Sequence, residues 1–243
     1  MTNVVQWIRS LIYVIQIYIL MAIMGIGFAP LAMFSGKVAR WTCYQYARWA
    51  QFSAKWILGL RTEIRGTPPT DEVMIAAKHQ SFLDIMMIYA AIPMPKFIMK
   101  KELLWAPFIG QYAYRMGCVP VDRNKRGKAI PKMLEDVSAG RQNPGQLVIY
   151  PQGTRVAPGV KADYKIGTYL IYEQLGQPCV PVATNVGVFW PRKGIMRKPG
   201  VAVVEFLDPI PPGLSRDDFM TRMVDSIEAA SDRLMEEAQQ YLT

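Results

Sequence analysis

A chain of 243 residues with a hydrophobic fraction of 51% is long enough for one core plus an appendage, and it needs neither disulfides nor metals to fold. Three widely spaced cysteines, Cys43, Cys118 and Cys179, give no disulfide framework and no paired metal-ligand pattern, and the single histidine, His79, excludes any two-histidine metal site. The net charge of +9 suits a polyanion. At this hydrophobicity an anionic lipid surface or a phosphorylated substrate fits better than nucleic acid, and a reducing, cytosol-facing body is expected.

No charged residue occurs between Arg9 and Lys37. An uncharged run of more than about 18 residues reads as a retained membrane helix and is longer than the apolar core of a cleaved leader. Gly25, Gly27 and Pro30 are placed to kink or end it. Residues 37–58 predict a second helix. At about 100° per residue, Lys37, Arg40, Arg48 and Lys55 share one sector, and Trp41, Trp49, Phe52 and Trp56 fall in the sector beside it. Adjacent basic and aromatic stripes are what an interfacial helix needs; packing of the same rings into a core is the competing reading. With Ser35-Gly36 as the turn, residues 1–58 read as a membrane-associated helical hairpin.

Gly66, Pro68 and Pro69 then punctuate a boundary. Beyond it, strands are expected at 73–77, 96–99, 118–121, 146–150, 180–186 and 201–207, and helices at 82–91, 103–116, 129–139, 166–175 and 216–242. Strands alternating with helices indicate an α/β layered domain, spanning 59–243. Ser215, with Asp218 three residues on, forms a capping-box pattern for the last helix.

Three segments carry chemistry. In AAKHQSFLDIMM, residues 76–87, an apolar strand ends, His79 follows, and a helix is expected to start near Ser81. On one continuous helix His79 and Asp84 would diverge by about 140°. With His79 in the entry loop and Asp84 on the first turn, the side chains can meet. A carboxylate on one imidazole nitrogen fixes the tautomer while the other nitrogen takes a proton. That is the His–Asp half of a serine-hydrolase triad, and no serine is needed if the substrate supplies the hydroxyl. The alternative is an incidental histidine in a helix-capping loop. In LVIYPQGTRVAPG, residues 147–159, a strand enters a turn with Gly153, Thr154 and Arg155, able to offer backbone N–H groups and a guanidinium to phosphate. In residues 98–126, Lys100, Lys101, Arg123, Lys125 and Arg126 lie near strand ends, where α/β folds place ligands.

Taken together, these segments resemble the glycerolipid acyltransferase family, and within it the bacterial 1-acyl-glycerol-3-phosphate acyltransferases. The family's HxxxxD block matches His79 to Asp84. Its Gly-x-x-Phe-x-x-Arg block matches Gly117 to Arg123, with Pro120 replacing the aromatic residue. Its Glu-Gly-Thr-Arg block matches Gln152, Gly153, Thr154 and Arg155, with Gln for Glu. A Val-Pro pair after a strand matches Val180 and Pro181, and Lys100 matches a substrate-binding lysine. The resemblance covers about residues 60–210. It implies a layered domain with a central mixed sheet behind an N-terminal membrane hairpin. It implies that the histidine acts as general base on an acceptor hydroxyl, which attacks the thioester of acyl-CoA or acyl carrier protein without an acyl-enzyme. Arg123 and Arg155 are then tied to the acceptor phosphate. No cofactor or metal is expected beyond the acyl donor, which is a substrate, and the expected location is the cytoplasmic face of the inner membrane.

Gln152 and Pro120 also admit another lysolipid acceptor, such as a lyso-ornithine lipid or a lysophospholipid. A non-catalytic membrane scaffold of the same fold is opposed by the presence of His79, Asp84 and Arg155 together. A hydrolase lacks a GxSxG elbow, and a nucleic-acid binder lacks any helix-turn-helix, zinc-finger or ribonucleoprotein motif.

Overall fold

The computed structural model describes residues 3–122, 135 and 145–241. Helix α1 (Asn3–Gly27) is, by length and composition, apolar enough to cross a membrane. It stops where Gly27 and Pro30 lower helix propensity, and the hairpin turn is longer than expected. A short helix, α2 (Ala29–Phe34), precedes Ser35, whose hydroxyl accepts from Val38 N and caps α3 (Gly36–Ser53). Helix α3 then widens into a π turn, Ala54–Leu58.

Gln6, Ser10, Tyr13 and Gln16 of α1 face the protein, whereas Asn3 and Tyr18 are exposed. Gln6 Nε2 donates to the carbonyls of Leu58 and Arg197, Ser10 exchanges bonds with Arg197, and Tyr13 Oη donates to Ala50 O. Gln16 bridges Ser53 Oγ and Trp49 Nε1. Partners on α3 and its π turn fall in number as residues on α1 rise, so the two helices run antiparallel. The carbonyls at the end of the π turn, left open by the helix itself, are thereby satisfied. The outer face of α1 exposes Ile8, Ile12, Ile15, Ile19, Ile23 and Ile26. On α3 and its π turn, Trp41, Trp49, Phe52 and Trp56 are about half exposed or more, between 47% and 65%, which decides against the core reading of that stripe. Gly25 is where α1 crosses the loop before α5 (Ile109–Arg115): a Cβ there would come within 2.8 Å of the Phe108 ring.

The sheet has seven strands: β1 (Leu60–Arg65), β2 (Met74–Ala77), β3 (Pro95–Lys100), β4 (Val119–Val121), β5 (Gln146–Ile149), β6 (Cys179–Thr184) and β7 (Gly200–Phe206). Their order is β1-β7-β6-β2-β5-β3-β4. All neighbouring pairs are parallel except β6 with β7, so the sheet is mixed. Strand β1 escapes sequence reading because it is an edge strand, where charge guards an open ladder; three of its six residues, LRTEIR, are charged.

Strand β2 is buried on both faces, as parallel strands covered by helices are. Ile75 and Ala77 face a core shared with α1, α3 and α4 (Leu83–Ala91); Met74 and Ala76 face one shared with α6 (Gly167–Leu175) and α8 (Arg216–Gln239). On α8, Phe219, Met223 and Ile227 are fully buried, each contributing roughly 1.5–3 kcal/mol of hydrophobic stabilisation. Ser215 caps α8 and bonds Asp218 in both directions, as its sequence pattern predicts.

Three other expectations are corrected. The helix expected at 103–116 splits into a 3-10 segment, Lys101–Trp105, and α5 (Ile109–Arg115), because Pro107 cannot continue a helix and Phe108 adopts φ 66°. Strand β6 ends at Thr184, where α7 (Val186–Phe189) turns the chain. The Val180-Pro181 pair lies inside β6 rather than after a strand: Pro181 stands beside β2 just before the β7 ladder begins at Val182, where no N–H is required. The helix expected at 129–139 lies, but for Glu135, outside the described residues.

Candidate active site

Strands β2, β5 and β3 are adjacent and parallel, so their carboxyl ends share one edge of the sheet, where open α/β sheets bind ligands. His79 leaves β2, the turn Tyr150–Arg155 leaves β5, and Lys100 ends β3.

Burial of β2 forces the chain to turn sharply as it leaves the sheet. Helix α4 begins at Leu83 and carries Asp84 on its first turn, where a carboxylate complements the helix dipole. Asp84 is fully buried. Its Oδ2 accepts the backbone N–H groups of Gln80 at 2.8 Å and Ser81 at 2.6 Å, and its Oδ1 lies 2.9 Å from His79 Nδ1. With Oδ2 committed to two donors, the carboxylate rotamer is set and Oδ1 is the acceptor for a proton on Nδ1. Nε2 then keeps a free lone pair, and it has no hydrogen-bond partner among the described residues. The imidazole is partly exposed, at 14% of its side chain, so an incoming hydroxyl can reach it.

Tyr150 holds the other side of the ring. Its ring stacks on His79 with centroids 4.0 Å apart and an interplanar angle of 22°, and its hydroxyl lies 3.5 Å from Asp84 Oδ1. Burial, followed by the neighbouring Asp84 carboxylate, pushes the phenol well above its usual range, so Tyr150 stays neutral. Backbone bonds join the two loops: Val156 N donates to His79 O at 2.8 Å, and Gly153 N closes its turn on Tyr150 O at 2.8 Å. Gly153 has φ 71°, which a side chain would strain. Beside the dyad, buried Lys78 pairs with Glu228 of α8, which also accepts from Tyr164 Oη at 2.6 Å. Gln80 Oε1 accepts from Gly187 N at 2.9 Å. The His79 loop is thus tied to the last helix and to α7.

Of the other residues expected at the site, Gln152 is buried at 5% exposure, and neither its Oε1 nor its Nε2 has a hydrogen-bond partner among the described residues. An amide buried with both polar ends open costs free energy unless a further group satisfies it. Thr154 is exposed and Arg155 half-buried. The carbonyl of Arg155 accepts from Arg192 Nη1 at 3.1 Å, which brings a second guanidinium to the loop. Lys100 is exposed at the end of β3, on the same edge as the dyad, and the described residues show no bond between the two. Arg123 lies outside the described residues. Tyr150, Lys78 and Arg192 escape sequence reading. The available signals were an aromatic residue at a strand end before a glycine turn, a lysine beside the histidine, and the basic run at 192–198.

The described surface therefore holds an oriented, accessible imidazole base beside a glycine turn with cations, on a sheet faced by an apolar helix. A model of the family described as acyltransferase matches residues 61–185, just over half of the chain. A Pseudomonas aeruginosa protein named 1-acyl-sn-glycerol-3-phosphate acyltransferase is 24% identical over 210 residues, covering 83% of this chain and 80% of that one. The mouse protein named 1-acyl-sn-glycerol-3-phosphate acyltransferase alpha is 31% identical over 183 residues, covering 72% of this chain and 63% of its own length. The solved structure of a 1-acyl-sn-glycerophosphate acyltransferase from Thermotoga maritima shares the fold, with a TM-score of 0.74 over 93% of this chain and 97% of that one, at 18% identity. The matched segment contains both the His79–Asp84 loop and the Tyr150–Arg155 turn, and the chain belongs to the acyltransferase family.

Proposed function

We propose that the protein transfers an acyl group from the thioester of acyl-CoA or acyl carrier protein to the free hydroxyl of 1-acyl-glycerol-3-phosphate, giving phosphatidic acid. The observation that carries this reading is the open Nε2 of His79, set by the Nδ1–Asp84 bond at 2.9 Å. Nε2 removes the hydroxyl proton as the oxygen attacks the thioester carbonyl. The imidazolium, supported by Asp84, returns that proton to the departing thiolate as the carbonyl re-forms. The acceptor oxygen is the nucleophile, so no covalent enzyme intermediate arises. Arg155, with Lys100, Arg123 and the backbone of Gly153 and Thr154, binds the acceptor phosphate, a role suited to a guanidinium's two-pronged geometry. The names of the relatives support the same acceptor.

The orphaned amide of Gln152 favours a second reading of the acceptor. A neutral amide both donates and accepts, so it fits a headgroup carrying an amide or hydroxyl, as in another lysolipid. Purified protein assayed against a panel of lysolipids, with both donor types, decides. Turnover of 1-acyl-glycerol-3-phosphate above all others supports the first reading, and preference for an unphosphorylated acceptor overturns it. Arg155→Ala should then raise KM for phosphorylated acceptors by about tenfold, the loss of one charge-assisted pair, and leave unphosphorylated ones unaffected.

The hairpin of α1 to α3 lies in one leaflet on the cytoplasmic side, so that the site meets an acceptor that does not leave the bilayer readily, each buried CH₂ contributing roughly 0.8 kcal/mol. The docking of Gln6, Ser10, Tyr13 and Gln16 onto α3, its π turn and Arg197 supports this arrangement. Labelling of a cysteine placed near residue 1 from the non-cytoplasmic side of oriented vesicles would replace the one-leaflet hairpin with a spanning helix.

A further inference from the structure

Between α3 and the edge strand β1 lies a cavity of about 490 Å³, within the range of small-ligand sites, about 300–1,000 Å³. Three exposed cations from three segments line it: Arg48 from α3, Lys55 from the π turn and Arg61 from β1. None pairs with a carboxylate among the described residues; Glu63, near on β1, is engaged by Arg65 at 2.7 Å. Two of the cations, Arg48 and Lys55, are held by rings instead. The Arg48 guanidinium sits 5.8 Å from the centroid of Tyr44 and bonds its hydroxyl at 3.4 Å, and Lys55 Nζ lies 5.4 Å from the centroid of Trp56. Phe52, Ile64 and Met87 give the cavity an apolar wall. Phe52 also belongs to the exposed aromatic row with Trp49 and Trp56, so the cavity lies alongside that row. A cluster of unpaired cations at a membrane boundary is costly until an anion enters, and an apolar wall beside it suits glycerol and the first acyl carbons.

We infer that this groove binds the phosphate headgroup of an anionic bilayer glycerophospholipid, a site separate from the His79 loop. Arg48 and Arg61 grip the phosphate from opposite walls, Lys55 adds the third charge, and Phe52 meets the upper part of the chain. The occupant is a bilayer lipid and not the acceptor, because the cations lie on the hairpin and the outer edge strand, four positions along the sheet order from β5. The inference rests on membrane association and not on the acyl-transfer reading.

The test is native mass spectrometry of the full chain released from neutral detergent micelles, with phosphatidylglycerol and phosphatidylcholine as probes. One phosphatidylglycerol per chain should be retained in preference to phosphatidylcholine. Arg61→Gln and Arg48→Gln should each cut retention about tenfold, the loss of a charge-assisted contact, and Arg61→Lys should restore part of it. Lys37→Gln removes a charge from the same helix outside the cavity and should leave retention intact, as should His79→Ala. Because Arg61 is an exposed edge residue, thermal unfolding should show its variants folded. Three results overturn the inference: equal loss in Lys37→Gln, which means diffuse surface charge; unchanged retention in Arg61→Gln; or a rise in acceptor KM in Arg61→Gln in neutral micelles, which assigns the groove to the substrate.

Discussion

In the loop from His79 to Asp84 every bond to the carboxylate except that of Tyr150 comes from within five residues, whereas on α1 Gln6, Tyr13 and Gln16 bond partners 33 to 191 residues away. Both regions remove polar groups from water and satisfy most of them; Gln6 Oε1 has no partner among the described residues. The first does so with a loop that folds around its own carboxylate, so its geometry follows from short spacing. The second does so only after the chain has built a π turn and brought Arg197 beside Leu58. A local device fixes chemistry; a long-range one fixes where the apolar helix sits against the catalytic sheet.

The largest expected break of this comparison is at the local end. His79→Ala should lower turnover by about 10²–10⁴-fold, the usual worth of general-base assistance, with folding and membrane retention unchanged, because a partly exposed ring tied by one loop is lost. Turnover near that of the parent would remove His79 from the chemistry.

Asp84→Asn should follow, with a loss on the order of 10²–10⁴-fold in kcat and little change in acceptor KM. The backbone N–H groups of Gln80 and Ser81 demand an oxygen at the Oδ2 position. The asparagine amide must therefore turn its NH₂ toward Nδ1. That makes Nδ1 the acceptor and places the ring proton on Nε2, where the base is needed. A change confined to KM would show instead that Asp84 serves binding.

At the long-range end, Gln6→Leu removes the side-chain donor to Leu58 O and one of the two to Arg197 O, which keeps Ser10 Oγ. It should destabilise the protein by about 1–3 kcal/mol, read as a lower unfolding midpoint in detergent with kcat little altered. An equal fall in kcat at unchanged stability would mean that the hairpin shapes the site itself, and would join the two regions that the geometry separates.

Tyr150→Phe sharpens the comparison with the smallest change. Its ring stacking at 4.0 Å is kept and only a hydroxyl 3.5 Å from Asp84 is lost, so kcat should fall by only about threefold, well under 1 kcal/mol. Tyr150→Ala removes the stack as well and should cost more in kcat. Equal losses would assign the effect to the hydroxyl.

The sequence by itself determined what short spacing and composition can encode. The His79–Asp84 contact follows from five residues spanning a loop and a first helical turn. The α/β layering follows from apolar runs separated by helical ones, and the exposed Trp41, Trp49, Phe52 and Trp56 stripe follows from helical periodicity. Tertiary structure alone decided what depends on elements distant in the chain. Strand β1 has its parallel partner in β7, some 140 residues later, at Leu60↔Gly200; its own alternation of Leu60, Thr62 and Ile64 with three charged residues allows a strand but names no partner. Tyr150 reaches His79 only because β5 lies next to β2. Gln152 is buried, without a partner among the described residues, only because the turn after β5 folds inward. The cavity among Arg48, Lys55 and Arg61 exists only because an edge strand passes beside a helix. Local hydrogen bonds are specified by residues that cannot move far apart, whereas pairings across the sheet are selected by packing the whole apolar surface at once, and that choice is written in no single segment.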